Sequence, residues 1–284
     1  MLIKLFTGTG AVAAIVTSAL TWSKGLWYEN LGKALLYLIG YSYAANILGI
    51  LGLFVISEVF VDLDKPQETP SKFFRKLLED IADYMCVSAR IRLHVTGEEK
   101  LPKDTRYLLV CNHRSLFDPV VKVSAFKGRD IAYVSKPSNF KIPVGGKVMH
   151  KCCCLPMDRE NNREALKTIK RACELIDRDI CSICIYPEGT RNRGDGILPM
   201  HNGSFKIAQR AGVPVVVVTV RNTDQVKHRM PFKATDVYID ILDVISAEDA
   251  KREPTSVTAQ RAWEIMNENY NKEEKTTTGV LPNA

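Results

Sequence analysis

The sequence predicts an α/β fold, a sheet flanked by helices, preceded by an N-terminal membrane hairpin of two helices. Three observations indicate this. Two uncharged apolar stretches come first, short apolar runs of strand length then recur, and helical patterns separate those runs. The 284 residues, 46% hydrophobic and 25% charged, suffice for one folded domain besides the hairpin. We expect the hairpin at 1–61, the α/β domain at 62–270 and a disordered tail at 271–284.

The hairpin is predicted from residues 5–23 and 34–57, neither of which contains a charged residue. As a helix the second stretch would extend about 36 Å, against a hydrocarbon core of about 30 Å, so it is long enough to span a bilayer. Trp22, Trp27 and Tyr28 cluster where a membrane–water interface would fall. A cleaved signal peptide, for the first stretch, and a pair of buried core helices are the alternatives.

Lysine and arginine placement indicates the orientation. Two spans would leave both ends of the chain on one side of the membrane, and Lys65, Lys72, Arg75 and Lys76 follow the second stretch closely. Positive charge next to a span is typical of its cytoplasmic end. We therefore expect a cell-membrane protein whose α/β domain faces the cytoplasm.

Cysteine usage agrees with a reducing compartment. All eight cysteines lie from Cys86 onward, and their spacing does not suggest a disulfide framework. Small buried hydrophobic groups are the favoured interpretation of these thiols. Cys181 and Cys184 form a lone CxxC inside an apolar run, whereas a zinc site needs separated pairs, so no metal site is expected.

The elements of the α/β domain follow from residue 71. Ser71 can cap a helix whose predicted apolar face is Phe73, Phe74, Leu77, Leu78, Ile81 and Tyr84. Alternation then places Ile91, Leu93 and Val95 on one face of a strand, and further strand-length runs occur at 107–111, 131–134, 181–186 and 213–220. The clearest intervening helix is 163–177, with Ala165, Leu166, Ile169, Ala172 and Ile176 inward. Strands alternating with helices predict a largely buried sheet.

One candidate for chemistry follows the run at 107–111. Asn112-His113-Arg114-Ser115 comes first, and Asp118 stands five residues after His113. Loops after buried strands often carry active-site residues. A histidine beside a carboxylate can act as a general base, because the carboxylate fixes the tautomer and stabilises the imidazolium. On this spacing alone, a hydrogen-bonded loop histidine is the favoured interpretation.

A second candidate follows the run at 181–186. The sequence Pro187-Glu188-Gly189-Thr190-Arg191 offers flexible backbone amides, a hydroxyl and a guanidinium in one turn. This combination suits a phosphate, which an arginine can bind through two hydrogen bonds.

Taken together, the two runs resemble the glycerolipid acyltransferase family, which includes lysophosphatidic acid acyltransferases and glycerol-phosphate acyltransferases. The resemblance covers about residues 107–220. A block at Asp158-Arg159 matches in part, because Cys153, Pro156 and Met157 replace the usual glycine and aromatic or aliphatic residues. In a fourth block, 213–215 fit and a valine replaces the usual second proline. The resemblance implies a glycerolipid-acyltransferase-like sheet.

The resemblance also implies a reaction. His113 would deprotonate a glycerol hydroxyl, Asp118 would orient His113, and the hydroxyl would attack an acyl thioester directly. A serine nucleophile at Ser115 would need a Gly-x-Ser-x-Gly turn, which the sequence lacks there. The implied acceptor is lysophosphatidic acid, giving phosphatidic acid in phospholipid biosynthesis, with acyl-CoA or acyl carrier protein as donor and no other cofactor. Glycerol 3-phosphate or another lysophospholipid is the alternative acceptor.

Substrate-binding candidates follow from the same resemblance. Arg159 and Arg191 are candidates for the acceptor phosphate, together with Gly189 and Thr190 of the turn. Glu188 either binds the glycerol portion or holds the arginines. Lys136 is added because it opens a Lys-x6-Pro-x-Gly stretch that resembles a block of the family.

The formal charge of +7 leaves an acidic substrate, an anionic membrane surface and nucleic acid open as partners. The basic residues come with no nucleic-acid-binding motif, so membrane lipid is expected and nucleic acid is not. An alternative of another class is a catalytically silent lipid-binding membrane protein. Loss of His113, Asp118 or the 187–190 run would favour it, and all are present.

Overall fold

The computed structural model describes residues 2–22 and 27–278, without the side chains of 2, 3, 60 and 272–278. The chain divides into two compact units, Met1–Pro66 with Ile142–Val148, and Gln67–Lys141 with Met149–Ala284. The first unit ends at Pro66, five residues beyond the predicted boundary. It also takes in Ile142–Val148, where Lys147 forms an ion pair with Glu58 at 2.7 Å.

The first unit contains the two predicted apolar helices, α1 (Leu2–Thr21) and α2 (Trp27–Phe60). By length and composition, both are candidates to cross a membrane, over Lys4–Thr21 and Trp27–Val59. In the second of these windows only the polar residues Asn30 and Ser57 are buried, and none of the apolar side chains is. Such an exposed apolar surface is typical of a helix that faces lipid and not of one in a soluble core.

Small residues let α1 and α2 approach closely. A Cβ atom added to Gly10 would lie 2.5 Å from Ser42 Cα, which is too close for any side chain. Across the same pair of helices, the Asn46 amide donates to the Thr7 hydroxyl at 3.2 Å. Glycines at a helix crossing combined with a polar interhelical hydrogen bond are typical of helix packing in membranes.

The second unit is built from seven strands and eight helices in the part of the chain that the structure describes. The strands are β1 (Ile91–Thr96), β2 (Leu108–Cys111), β3 (Ile131–Ser135), β4 (Leu155–Pro156), β5 (Ser182–Ile185), β6 (Val215–Arg221) and β7 (Thr235–Ile245). The helices are α3 (Lys72–Ser88), α4 (Phe117–Ala125), α5 (Gly145–Lys151, whose first turn belongs to the first unit), α6 (Asn162–Asp177), α7 (Lys206–Ala211), α8 (Thr223–Arg229), α9 (Ala247–Arg252) and α10 (Thr255–Thr278).

One sheet holds all seven strands in the order β1-β7-β6-β2-β5-β3-β4. The five strands from β6 to β4 run parallel to one another, and β7 runs antiparallel to β6 but parallel to β1. The α/β sheet flanked by helices is therefore confirmed. The carboxyl ends of five parallel strands share one edge, which is where open α/β sheets bind ligands.

The predicted strands are all present, and two further strands were not predicted. β2 and β5 are buried along their whole length, as their continuous apolar runs indicate. β4 has only two residues, too few for a pattern. β7 has eleven residues and its inward side includes Val237, Ile239 and Ile241.

Two helices begin within one residue of the predicted start, but the face that each buries agrees with the prediction only in part. Helix α3 starts after Ser71, but the Ser71 hydroxyl forms no capping hydrogen bond. Its buried residues are Leu77, Glu79, Ala82 and Cys86, while Phe73 and Tyr84 are half exposed. In α6, the predicted inward residues Ile169, Ala172 and Ile176 are buried. Leu166 is exposed, and Leu175 is fully buried although it was not predicted to be inward. Each inward face is set by the sheet residues that it covers, which the helical period alone does not identify.

Helix α10 corrects the predicted tail in part. Residues 271–278 belong to this helix, and 279–284 lie outside the described residues. The Lys and Glu residues of this stretch have high helix propensity, so they can prolong a helix that the domain has already nucleated.

The cysteines are free thiols, and seven of the eight are buried, Cys173 being partly exposed. Burial raises the pKa of Cys153 to about 11 and that of Cys181 to about 12. These thiols are therefore neutral and poorly reactive near neutral pH. Among the described residues, no group of three His, Cys, Asp or Glu side chains could hold a metal ion.

Candidate active site

The candidate site lies at the carboxyl edge of the parallel strands. β2 and β5 are hydrogen-bonded neighbours, so the loop after Cys111 and the turn after Ile185 emerge side by side. The first carries His113 and leads to Asp118, and the second carries Glu188. The two sequence motifs therefore meet because of strand pairing and not because of their positions along the chain.

His113 and Asp118 form a hydrogen-bonded pair. The His113 Nδ1 atom lies 2.7 Å from Asp118 Oδ2, and Asp118 is completely buried in the first turn of α4. The same carboxylate oxygen accepts the backbone N–H groups of Arg114 and Ser115, both at 2.7 Å, and Thr223 donates its hydroxyl to Oδ1. With these three donors, the Asp118 carboxylate is a hydrogen-bond acceptor on both oxygens. Nδ1 of His113 therefore carries a proton, and Nε2 is left as the base.

The second motif holds the backbone of His113 on both sides. The His113 N–H donates to Glu188 Oε1 at 2.5 Å, and the His113 carbonyl accepts from the Asn192 N–H at 2.7 Å. The other Glu188 oxygen accepts the Leu198 N–H at 2.9 Å. Both Glu188 oxygens are thus bonded to the backbone. The carboxylate is in ion-pair contact with neither Arg159 nor Arg191 in the described chain.

Glu188 is held in an environment that disfavours its charge. Burial raises the pKa of Glu188 to about 7, against the lowering effect of the His113 and Leu198 N–H groups, and the neighbouring Asp118 raises it further. A carboxyl group that titrates near neutrality beside a candidate base is a feature of functional sites.

The ring of Tyr186 lies beneath the catalytic pair. The His113 and Tyr186 rings stack with their centroids 4.2 Å apart. The Lys122 ammonium lies 3.6 Å from the centroid of the same tyrosine ring, and Lys122 is fully buried. Sequence reasoning missed both residues, although Lys122 stands four residues after Asp118, on the same face of a helix.

Asn112 and Arg114 of the first motif have structural contacts. The Asn112 side chain bonds to the N–H and the carbonyl of Val220, which joins the end of β2 to β6. The Arg114 guanidinium donates to the Gly196 carbonyl at 3.3 Å and lies 5.3 Å from the centre of the Tyr270 ring. These contacts tie the His113 loop to the rest of the domain.

A second set of groups surrounds Gly189. This glycine has φ +75, and a Cβ atom added to it would lie 2.8 Å from His201 Nε2 and 3.6 Å from Arg159 Nη1. Only glycine is unstrained at such a φ and leaves the turn this open to its neighbours. His201 was not predicted as a site residue. Its backbone N–H donates to the Pro187 carbonyl at 2.8 Å, a contact between two loops that a sequence pattern does not reveal.

The Arg159 guanidinium lies at this turn, and within the described residues it forms no ion pair. The side chain as a whole is exposed, yet partial burial of the guanidinium lowers the pKa of Arg159, and none of the described acidic residues forms an ion pair with it. The group remains cationic, since its ordinary pKa is far above neutrality. Its position suits an anion placed against the Gly189 backbone.

The remaining predicted residues lie at the same edge of the sheet without a shared contact. Thr190 and Arg191 are exposed immediately after Gly189, and Lys136 is exposed immediately after β3. None of the three side chains has a hydrogen-bond partner within the described part of the chain. The structure therefore brings together His113, Asp118, Glu188, Gly189 and Arg159, and leaves these three open to solvent.

Comparison with known proteins identifies the family. The profile of the Acyltransferase family matches residues 92–221, a range that contains both motifs. A 1-acyl-sn-glycerol-3-phosphate acyltransferase of Haemophilus influenzae is 30% identical over 173 residues, which are 60% of this chain and 72% of that protein. The chain belongs to this acyltransferase family.

Other members differ more in length. The chloroplastic 1-acyl-sn-glycerol-3-phosphate acyltransferase BAT2 of Brassica napus is 32% identical over 179 residues, 62% of this chain and 50% of that protein. The chain thus spans about half the length of this plant relative. The acyltransferase family resemblance inferred from the two motifs is confirmed.

A solved structure shares the fold. The crystal structure of the 1-acyl-sn-glycerophosphate (LPA) acyltransferase PlsC from Thermotoga maritima matches with a TM-score of 0.60 at 21% identity. The match covers 78% of this chain and 87% of that chain. The acyltransferase family fold therefore extends well beyond residues 92–221.

Proposed function

We propose that this chain transfers an acyl group from an acyl thioester to the free hydroxyl of lysophosphatidic acid, forming phosphatidic acid. The observation that carries the proposal is the 2.7 Å bond from His113 Nδ1 to the buried, fully hydrogen-bonded Asp118, beside a cationic turn at Gly189. The names of the Haemophilus and Brassica relatives support the choice of acceptor.

In this reaction His113 Nε2 takes the proton of the acceptor hydroxyl as its oxygen attacks the thioester carbonyl. The tetrahedral oxyanion then collapses, the carbon–sulfur bond breaks, and the imidazolium returns its proton to the departing thiolate. Asp118 stabilises the imidazolium between these steps. General-base assistance of this kind contributes about 10²- to 10⁴-fold to the rate.

The acceptor phosphate is assigned to the Gly189 turn. Arg159 and His201 flank the backbone there, and Thr190 and Arg191 continue the turn with exposed donors. A phosphate monoester carries close to two negative charges at neutral pH, so paired guanidinium groups and backbone N–H donors suit it. Lys136, at the end of the next strand, is assigned to the same anion or to the donor's phosphates.

The donor is proposed to be the thioester of coenzyme A or of acyl carrier protein, reaching the site from the cytoplasm. The apolar hairpin would hold the enzyme at the cell membrane, where the lipid acceptor and product reside. Membrane lipid is thus both substrate pool and partner.

The test is an assay of purified full-length protein in detergent or bilayers, with lysophosphatidic acid and an acyl thioester, following thiol release and phosphatidic acid. Wild type should form phosphatidic acid. His113→Ala and Asp118→Asn should each lose at least about 10²-fold in kcat while remaining folded by circular dichroism. Asp243→Asn, at an exposed aspartate on β7, is the control that should retain activity.

Other outcomes separate the parts of the proposal. Activity with glycerol 3-phosphate or another lysophospholipid, but not with lysophosphatidic acid, would keep the mechanism and change the acceptor. Full activity of a folded His113→Ala variant would remove the mechanism. A wild-type protein that binds lipid but transfers no acyl group would point to a catalytically silent lipid-binding protein.

A further inference from the structure

A fully buried lysine lies beside the catalytic pair, and no carboxylate of the described residues is in hydrogen-bond contact with it. The Lys122 ammonium donates to Cys184 Sγ at 3.1 Å and faces the Tyr186 ring at 3.6 Å. The side chain has no solvent exposure. A buried ammonium normally requires a well-paired anion, because desolvation of a charge is expensive. A thiol and an aromatic face compensate for that loss only in part.

The groups around Lys122 are nevertheless electron-rich. They are Cys111 on β2, Cys184 on β5, Tyr186 after it and Asp118 one helical turn earlier on α4. Burial lowers the pKa of Lys122, whereas its hydrogen bond to Cys184 and the negative charge of Asp118 raise it, and the net direction is upward. The side chain is therefore an ammonium at neutral pH.

The charged groups around His113 indicate a role for the Lys122 ammonium. Asp118 accepts from the His113 ring, and the Glu188 carboxyl group accepts from the His113 backbone. Two carboxyl groups thus lie against His113, and an imidazole acts as a base only in its neutral form. Two cations of the described structure lie near these groups. The Lys122 ammonium contacts the Tyr186 ring on which His113 stacks. The Arg114 guanidinium lies near Glu188.

We infer that Lys122 is a positioning residue whose buried positive charge opposes protonation of His113 and so keeps the general base competent at neutral pH. The inference rests on the proposed function, since it assigns a role within that reaction. Because Lys122 is fully buried, its role is to act on His113 through Tyr186 and Asp118 and not by contact with substrate.

The experiment compares pH–rate profiles of the full-length protein and of Lys122→Met, an unbranched side chain one atom shorter that carries no charge. The acidic limb of kcat should move to higher pH by about one unit in the variant, because one nearby positive charge no longer opposes protonation. Activity should therefore fall about tenfold on the acidic side and approach wild type near pH 9. The KM values for both substrates should stay within about twofold.

A stability measurement separates this role from a structural one. Replacing a poorly compensated buried charge by an apolar side chain of similar volume is often neutral or stabilising, so Lys122→Met should unfold at or above the wild-type temperature. A purely structural lysine would give the reverse, a lower unfolding temperature with an unmoved acidic limb, and would overturn the inference. Lys122→Gln is the second variant if Lys122→Met does not fold.

A control variant and the activity of wild type separate a failure of this inference from a failure of the proposed function. Cys184→Ala removes the thiol contact and keeps the ammonium, so its acidic limb should stay in place. An inactive wild-type protein would count against the proposed function, whereas an active wild type with an unshifted Lys122→Met profile would count against this inference alone.

Discussion

Glu188 carries the most unusual electrostatics of the site. Its pKa rises from 4.5 to about 7, mainly through burial. Unfolding exposes the carboxyl group, which then ionises near its usual pKa. Between pH 4.5 and 7 the folded protein therefore holds one proton more than the unfolded chain. Stability from this residue is complete below pH 4.5 and is lost as the pH rises toward 7, by about 3 kcal/mol in total.

Glu188→Gln should remove this pH dependence, because an amide does not titrate. Relative to wild type, the free energy of unfolding of the variant should increase by about 3 kcal/mol between pH 4.5 and pH 8. Denaturant unfolding in detergent at three pH values measures it. Glu264→Gln, at an exposed position of α10, is the control and should follow wild type. Parallel curves for Glu188→Gln and wild type would contradict the assignment.

Arg191 is predicted to act on the acceptor and not on the donor. Arg191→Ala should raise the acceptor KM, or lower kcat/KM for the acceptor, at least about tenfold more than for the thioester, because a charge-assisted phosphate contact contributes about 1.5–3 kcal/mol. Steady-state kinetics with each substrate varied in turn measure the difference. Arg229→Ala, exposed at the end of α8, should change neither value. Equal losses toward both substrates would move Arg191 out of the phosphate site.

At this scale the sequence predicts the residues whose chemistry is local. His113 and Asp118 stand five residues apart in one loop, so their pairing follows from residue type and spacing. Lys122 and His201 are different, because their contacts with Tyr186 and Gly189 arise only when separate loops converge. A single sequence gives no reason to choose His201 over His228, for example.

At the scale of the elements, the close approach of α1 and α2 at Gly10 leads to a prediction about the stability of the hairpin. Gly10→Leu should weaken the hairpin by about 1–3 kcal/mol, because a side chain there meets the backbone of Ser42. Gly8→Leu is the matched control, since nothing lies within 4 Å of a Cβ atom at Gly8. The midpoint of unfolding in mixed micelles containing an ionic detergent measures both. Equal midpoints would mean that the helices do not cross at Gly10.

The strands show where local pattern suffices and where it does not. β2, β3, β5 and β6 are continuous apolar runs, which a buried parallel sheet requires. β7 was not predicted, although buried and less buried residues alternate over much of its length. This period of two is the sequence pattern that indicates a strand. The strand order depends on pairings between residues far apart in the chain, such as Leu109 with Cys184, and no local pattern specifies them.

For the whole molecule, the apolar hairpin predicts that the protein partitions into the membrane and not into the aqueous phase. Ile39→Arg places a charge on an exposed apolar position of α2, which costs about 2.5–3.5 kcal/mol near the centre of a bilayer. The fraction of full-length protein that resists extraction from membranes by alkaline carbonate should therefore fall. Val257→Arg, on an exposed apolar position of α10, should leave extraction unchanged. Identical extraction of both variants would mean that α2 does not lie in lipid.

The loop that follows β5 forms hydrogen bonds with both the N–H and the carbonyl of His113. A third hydrogen bond, from the Leu198 N–H to the Glu188 carboxyl group, lies within the same loop. Glu188 accepts two of these hydrogen bonds and Asn192 of the same loop donates the third, so local unfolding of this loop breaks all three. The amide protons of His113, Asn192 and Leu198 should accordingly exchange with deuterium at a common rate under native conditions, as one cooperative opening unit. The amides of His113 and Leu198, which are 85 residues apart in the sequence, would then report a single opening event.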